Sequence, residues 1–411
     1  MNNVVVVGGG PAGMMAALMA AECASCVTLI EKNEKLGKKL FLTGKGRCNL
    51  TNACDVEELF NNVIQNPKFL YSAIYGFDNH QTMEFFESIG LKIKTERGKR
   101  VFPLSDHSSD VIKVLKNELE RRKVKVLLNT EFLDFVTQED KIASVIIRDN
   151  SGNKRNIDVD KLILATGGTS YVSTGSDGKV LDILKQHGIE IESPSPSLIP
   201  FNCNDKYITQ LQGIALKNVN VTVKSDKRAI FSDFGEMLFT HFGVSGPLIL
   251  SASAHLKEKD LNTGVIVSID LKPALSMQEL DKRIQKDFSE NLNKQICNVI
   301  PKLVPAKMTD CVLHFAGIDK EKKVNTVSKE ERVRLVGVLK HFSFKISSLR
   351  DINEAIITRG GVKVKEIKPQ TMECKKITGL FFAGEMIDTD ALTGGFNLQI
   401  AWSTGHLAGS N

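Results

Sequence analysis

The run Val4-Val5-Val6-Val7-Gly8-Gly9-Gly10-Pro11-Ala12-Gly13 constrains this chain more than any other stretch. Four consecutive valines read as a strand buried on both faces, because a half-exposed strand alternates apolar with polar residues. Behind the glycines, Met14-Met15-Ala16-Ala17-Leu18-Met19-Ala20-Ala21 is small and apolar with no interior Gly or Pro, which reads as a helix. In Gly8-x-Gly10-x-x-Gly13 the three glycines serve three different ends: a tight turn, close backbone approach to a pyrophosphate, and close packing of helix on strand. Val27-Thr28-Leu29-Ile30 reads as the second strand, and Glu31, 21 residues after Gly10, stands where a carboxylate accepts hydrogen bonds from a ribose diol. The pattern predicts a dinucleotide-binding unit, compatible with NAD or FAD.

At 411 residues the chain is long enough for two or three domains. Its 42% hydrophobic and 25% charged residues are those of an ordinary globular protein. No apolar run nears the ~20 residues that span a bilayer. The first residues form a strand rather than a charged leader and hydrophobic signal region, so a cytoplasmic protein without membrane partners is expected. The formal net charge of +6 comes without a single-sign block or an aromatic-interleaved basic stripe, and no nucleic-acid partner is expected. Eight scattered cysteines argue for reduced thiols, and Cys23-x-x-Cys26 sits at a helix-to-strand turn away from the glycines. His80 and His107 lack a second ligand at metal-binding spacing, so no metal is expected.

From Lys32 to Arg47 six cationic residues fall within 16 positions, among Gly37, Gly44 and Gly46, and the segment ends in Arg47-Cys48-Asn49-Leu50-Thr51-Asn52. This is either a solvated loop or a second set of donors for a diphosphate and a flat flavin ring, with glycines allowing close backbone approach. Cys48 has no partner thiol at dithiol spacing, which leaves packing or a hydrogen bond as its role. Strands are predicted at 124–130, 132–136 and 143–148, and Leu162-Ile163-Leu164 runs into Ala165-Thr166-Gly167, where the chain can return to the cofactor's edge. After Gly188 the prolines 194, 196 and 200 introduce short β-rich segments at 218–223, 228–231, 237–240 and 264–271. From Ser276 to about Lys340 the pattern is helical and charged. Leu380-Phe381-Phe382 is a last strand, followed by Gly384 and Glu385, and Gly394-Gly395-Phe396-Asn397 leads into a final helix. The positive end of that helix, aimed at a flavin's pyrimidine edge, would stabilise the reduced ring.

Strand-Gly8-x-Gly10-x-x-Gly13-helix-strand-Glu31, with Ala165-Thr166-Gly167-Gly168 and Ala383-Gly384-Glu385, resembles the glutathione-reductase-type FAD fold. The runs 44–52, 239–247, 358–362 and 393–399 make the chain similar, over essentially its whole length, to the YhiN/BaiN-type bacterial flavoproteins. That family includes enzymes described as NAD(P)/FAD-dependent oxidoreductases, bile-acid enone reductases and aminoacetone oxidases. The resemblance implies an α/β Rossmann domain binding FAD, interrupted by a β-barrel-like insertion that carries a small helical subdomain. The expected boundaries are 1–190 and 357–411 for the FAD domain, 191–274 and 341–356 for the β insertion, and 275–340 for the helices.

By the same resemblance Gly8, Gly10, Pro11, Ala12 and Gly13 hold the diphosphate, Glu31 and Lys32 the ribose, and Phe132 the adenine through its backbone. Lys39, Gly44, Gly46, Arg47, Cys48, Asn49 and Thr51 serve the phosphates and ring. Ala165, Thr166 and Gly167, Gly384 and Glu385, and Gly394, Gly395, Phe396 and Asn397 complete the cofactor set. Lys179-Val180-Leu181 stand where the family tends to have a glycine and an aromatic. Thr240, His241, Ser245 and Arg359 are the candidates for facing the ring, with Tyr171 from the first domain. His241 is either a hydrogen-bonded β-domain histidine or a proton donor or acceptor beside the flavin, and Arg359 either orients a carboxylate or carbonyl substrate or closes the domain interface. The function expected is an FAD-dependent oxidoreductase passing a hydride to or from a small or medium organic molecule, with NAD(P)H as a transient reductant. An oxygen-using amine oxidase and a flavin-dependent RNA-modifying enzyme are the alternatives; oligomeric state is not legible.

Overall fold

The computed structural model describes residues 3–226 and 228–411. They form two compact units, one from the chain's beginning to Ser197 together with Ile352–Asn411, the other Leu198–Asp351.

The first unit is built on five parallel strands: β1 (Asn3–Val7), β2 (Cys26–Ile30), β3 (Lys125–Leu127), β4 (Lys161–Leu164) and β5 (Leu380–Phe382), in the order β5-β4-β1-β2-β3. The valine run is central. Val4 to Val7 face Lys161 to Leu164 on one side and Val27 to Ile30 on the other, and none of the four valines is more than 4% exposed. Helix α1 (Pro11–Cys23) begins with proline in its first turn, where a missing N–H costs nothing. The terminal helix, Phe396–Ser410, lies against α1. A Cβ at Gly405 would stand 2.4 Å from the Ala12 carbonyl oxygen, and one at Gly409 2.3 Å from that of Ala16, so the two backbones touch where larger residues would hold them apart.

The strand order leaves β4 and β5 to be reached by long excursions. One of them is a three-stranded antiparallel sheet, Glu131–Gln138, Lys141–Arg148 and Lys154–Asp158. An earlier excursion, between β2 and β3, joins Thr51–Asn52 to the hairpin Ile93–Glu96 and Arg100–Pro103. Ile191–Ser197 pairs antiparallel with Ile357–Val362, with Ser195 opposite Arg359. That ladder moves the boundary expected at 190/191: residues 191–197 belong to the first unit, because their hydrogen-bonding partners do, and the unit resumes at Ile352.

The second unit is a seven-stranded antiparallel sheet, in the order Phe342–Lys345, Val265–Asp270, Ala215–Ser225, Arg228–Thr240, Gly243–Ser245, Phe201–Asn202, Ser348–Leu349. The strands expected at 228–231 and 237–240 are one continuous strand. Its middle, Ser232 to Glu236, is largely exposed, so it carries no apolar alternation, yet it pairs with 219–222. Between the paired strands Val265–Asp270 and Phe342–Lys345 lie the helices Met277–Ser289, Thr309–Ala316 and Lys329–Lys340. Ser276 with Glu279, and Ser328 with Glu331, form capping boxes that fix two helix starts. Leu280, Ile284, Leu335 and Leu339 share one apolar core with Val267, Phe342 and Phe344. The helical stretch is therefore packed on the sheet it interrupts.

Gly405→Ala must displace backbone, and a loss of about 1–3 kcal/mol is expected from urea unfolding curves. Gly337, inside Lys329–Lys340, has nothing within 4 Å of an added Cβ, and Gly337→Ala should gain up to about 1 kcal/mol in the same assay.

Candidate functional site

The glycine turn closes on backbone. Gly8 has φ +109, and an added Cβ would lie 2.4 Å from the Ala165 carbonyl oxygen; a Cβ at Gly13 would lie 1.8 Å from the carbonyl oxygen of Gly8 itself. Gly10 differs: nothing of the chain lies within 4 Å of its missing side chain. It precedes α1 in an extended conformation open to any residue, φ −81 and ψ −175, so the glycine is explained by room for something outside the chain. The first-turn N–H groups of α1, Pro11 excepted, have no acceptor within the helix and face the same turn.

Glu31 ends β2 and is nearly buried. Its Oε2 accepts from the Gly9 N–H at 2.8 Å, and its Oε1 from the Asn33 N–H at 2.8 Å and Asn33 Nδ2 at 2.6 Å. A carboxylate offers about four lone-pair positions, so three bonds leave capacity for a hydroxyl. The N–H of Thr130 reaches the Glu31 carbonyl, placing Phe132, two residues on and buried, at this same end. Lys32 is ion-paired to Asp177 at 2.9 Å. Burial pushes the Asp177 carboxyl up, but the Lys32 ammonium overrides it and leaves the group below its usual 3.8.

Lys39 does not stand free for a phosphate. Its three ammonium protons meet Ser170 Oγ at 2.7 Å and both oxygens of Glu385 at 2.8 and 2.6 Å. Glu385 Oε1 also accepts from Ser170 Oγ at 2.9 Å and from the Thr358 N–H at 2.9 Å. Thr358 Oγ1 in turn accepts from the N–H groups of Thr169 at 2.7 Å and Ser170 at 3.0 Å. One network thus joins the 38–42 helix, the loop after β4, the strand 357–362 and the turn after β5. Ser170 and Thr358 are additions to the expected site residues. Their only signal in the sequence is a small polar residue beside glycines, as in Gly168-Thr169-Ser170 and Thr358-Arg359-Gly360.

The 44–52 loop is wound tightly, with Gly44, Lys45 and Cys48 all left-handed at φ 59, 58 and 57. Gly46 has open space around it. Arg47, expected to serve the cofactor, is instead turned to Glu96 and Asp106, both at 2.5 Å, with its guanidinium 4.1 Å from the Phe102 ring centre. It fastens the loop to the 93–103 hairpin. Burial pushes the Cys48 thiol up to about 12, which makes it a packing group and not a nucleophile. Asn49 Oδ1 is buried and makes no hydrogen bond within the described residues; the same holds for Thr169 Oγ1. Thr51 Oγ1 donates to Gln399 Oε1 at 2.6 Å, and Asn52 Nδ2 to the Gly394 carbonyl at 3.0 Å, tying the loop to the start of the terminal helix.

At that helix start Gly395 has φ +100, and a Cβ there would lie 2.5 Å from the Thr51 backbone. Asn397 is used inward, accepting from the Ala391 N–H at 2.9 Å and donating to its carbonyl at 2.7 Å. Gly384 donates to Thr404 Oγ1 at 2.9 Å. Gly167 is left-handed beside Ser176, while Ala165 N–H bonds Val7 and continues the ladder with Thr166 after it. Arg359 lies 3.8 Å through Nε from the buried Asp390. Thr240 and His241 belong to the second unit. Thr240 Oγ1 is buried without a hydrogen bond among the described residues; His241 is exposed, edge-on to Phe242 at 5.0 Å.

Residues 2–411 match the family described as "HI0933-like protein Rossmann domain". The chain belongs to this HI0933-like family. It is 29% identical to the 3-dehydro-bile acid delta(4,6)-reductase of Clostridium scindens, over 100% of this chain and 98% of that one. It is also 29% identical to the ribosomal RNA dihydrouridine synthase of Haemophilus influenzae, over 98% and 96%. Among solved structures, the 3-ketosteroid-delta4-(5alpha)-dehydrogenase of Rhodococcus jostii is similar in fold, with TM-score 0.54 at 14% identity, covering 100% of this chain and 96% of that one. This HI0933-like chain is an FAD-dependent oxidoreductase. The open space at Gly10, the unmatched buried oxygens of Asn49 and Thr169 and the free first-turn N–H groups fit such a cofactor. No described helix is long and apolar enough to cross a membrane.

Gly10→Ala should leave unfolding of the FAD-free protein within about 0.5 kcal/mol of the wild type, since the added Cβ has nothing of the chain within 4 Å. The same variant should purify without flavin absorbance. Asp177→Asn removes a carboxylate whose pKa is depressed on folding. The stability that pair contributes is present above 3.8 and lost as pH falls through the folded value. The variant should therefore be less stable by up to about 1 kcal/mol at neutral pH and converge with wild type in strong acid, as read from urea unfolding across pH.

Proposed function

We propose that this protein reduces a carbon–carbon double bond conjugated to a carbonyl group, with NAD(P)H as the electron source. The observation that carries the reading is the end-to-end likeness to a delta(4,6)-reductase. The likeness to dihydrouridine synthases supports it, since a dihydro product has gained two hydrogens across a double bond. Bound FAD supplies the hydride chemistry.

The chain's own residues bind, orient and stabilise. Gly8, Gly10, Ala12 and Gly13 cradle the diphosphate, and Glu31 takes the ribose hydroxyl it has capacity for. Glu385, held rigid by Lys39, Ser170 and Thr358, presents a fixed carboxylate to the ribityl chain. The unmatched Asn49 Oδ1 would accept from a ring N–H, and the Thr169 hydroxyl would donate to a ring carbonyl or to the diphosphate. With FAD bound, the start of the terminal helix at Gly395 would lend positive potential to the reduced ring. Arg359 receives the substrate carbonyl oxygen, where negative charge collects as hydride reaches the far end of the conjugated bond. The neighbouring carbon then takes a proton from solvent, which completes the addition of two hydrogens. No second Gly-x-Gly-x-x-Gly unit follows the first, so NAD(P)H and substrate take turns at one site.

A second reading has a specific observation behind it: relatives named for ribosomal RNA match as fully as the one named for a bile acid. One experiment separates them. Anaerobic mixing of the FAD-loaded protein with NADH or NADPH should bleach the flavin, and a 3-oxo-delta(4,6) steroid should restore its colour mole for mole. Recovery with a ribosomal RNA transcript and not with the steroid would favour the RNA reading. No bleaching by either nucleotide, with bleaching by an amine and recovery in oxygen, would replace both by an oxidase. Arg359→Met should slow the recovery step about 100-fold or more while leaving bleaching within about twofold.

A further inference from the structure

Asp390 is a carboxylate with 0% exposure, and burying one is costly unless the charge is used. Its Oδ2 accepts from Ser197 Oγ at 2.6 Å and lies 3.8 Å from Arg359 Nε. Oδ1 makes no hydrogen bond within the described residues. The backbone around it is clamped on both sides. The Asp390 carbonyl accepts from the N–H groups of Ile64 at 2.8 Å and Gln65 at 3.3 Å, and Leu392 N–H donates to Asn62 at 2.9 Å. Asn397 grips Ala391 from the terminal helix, and Asn66 Nδ2 donates to the Asp388 carbonyl at 2.7 Å. Arg359 stands on the strand 357–362, in the ladder position opposite Ser195, two residues before Ser197. An immobile buried carboxylate is thus set beside the Arg359 side chain, with a hydroxyl fixing the carboxylate's nearer oxygen.

Packing does not explain this arrangement. Asn or Leu would fill the same space without a charge to desolvate, and the Ser197 hydroxyl bonds the oxygen that faces Arg359 rather than the unmatched one. We propose that Asp390, braced by Ser197, is a positioning residue that holds the Arg359 guanidinium in the orientation in which it receives the substrate's carbonyl oxygen. This rests on the role proposed for Arg359 and extends it: the oxygen is met by a guanidinium already oriented, so little ordering entropy is lost when charge develops there. Arg359 itself touches substrate in this scheme, and Asp390 and Ser197 act through it.

The test uses the full chain loaded with FAD and labelled with 15N-arginine. The Arg359 Nε signal is identified by its absence in Arg359→Met. It should be ordered in the wild type, lose order in Asp390→Asn to below about 0.6, and lose part of it in Ser197→Ala. In turnover of the conjugated ketone, Asp390→Asn should lower kcat about tenfold with a smaller change in KM. Asp390→Asn combined with Arg359→Met should be no slower than Arg359→Met alone. Equal order at Nε in Asp390→Asn, or losses that multiply in the double variant, would overturn the proposal. Should Asp390→Asn fail to retain FAD, Ser197→Ala carries both readouts by itself. A wild type inactive on every conjugated ketone refutes the proposed function, while the Nε signal still decides whether Asp390 holds Arg359.

Discussion

Contact of backbone with backbone at glycine is the constraint on which the first unit depends. Gly8 lies against Ala165, Gly13 against Gly8, and Gly405 and Gly409 against Ala12 and Ala16. Each of these contacts draws two elements closer than any side chain permits. Together they pull α1 down between the sheet and the terminal helix, so the helix whose first turn faces the cofactor is gripped from both ends of the sequence. Residues near position 10 and residues near position 400 then share one site because no Cβ holds them apart. A β carbon at any of these points would widen the cradle before it touched a ligand.

Charge in the same unit is arranged by the chain for itself before any ligand arrives. Glu31 latches the glycine turn, Lys39 directs its three protons to Glu385 and Ser170, and Lys32 meets Asp177. Arg47 spans Glu96 and Asp106 while lying on Phe102. A cation-rich loop that reads as a set of phosphate donors is thereby largely self-neutralised. What is left for a cofactor is mostly backbone N–H, one carboxylate with spare lone pairs and a few unmatched oxygens. This suits a resident cofactor: backbone donors lose no side-chain entropy on binding, and paired ions do not attract stray anions.

How much of this is legible in residues alone follows the strength of local periodicity. Val4 to Val7 announce a buried central strand because all four lack polar alternation, and the spacing from Gly10 to Glu31 follows from the length of one helix and one strand. The strand Arg228–Thr240 reads as two because its exposed middle, Ser-Asp-Phe-Gly-Glu, obeys no apolar rule, and pairing with the neighbouring strand decides it. The prolines 194 and 196 displace the apparent domain boundary. They read as breaks, yet Pro196 sits within a short ladder opposite Thr358. Arg47 and Lys39 are legible as basic residues beside glycines. Their partners lie 49 to 346 positions away, beyond the reach of any spacing rule.

The residues that escape sequence reasoning share one property. Ser170, Ser197, Thr358, Asp390 and Gln399 are polar side chains in otherwise buried segments, each nearly or fully shielded from solvent. In a sequence such a residue carries no spacing signal that tells its burial or its partner. In the folded chain it must find a hydrogen-bond partner or incur the full desolvation cost, so it becomes a node joining elements far apart. Gln399 shows how far this goes: it accepts from Thr51 and donates to the Phe77 carbonyl, Thr82 and Ser403, holding the loop, a helix end and the terminal helix in one register. Ser170 and Thr358 do the same around Glu385, and Ser197 and Asp390 around Arg359. The glycines decide how close the elements come. These buried polar nodes decide in which register they meet, and a cofactor site needs both, because closeness without register would leave each donor an ångström or more from the atom it must reach.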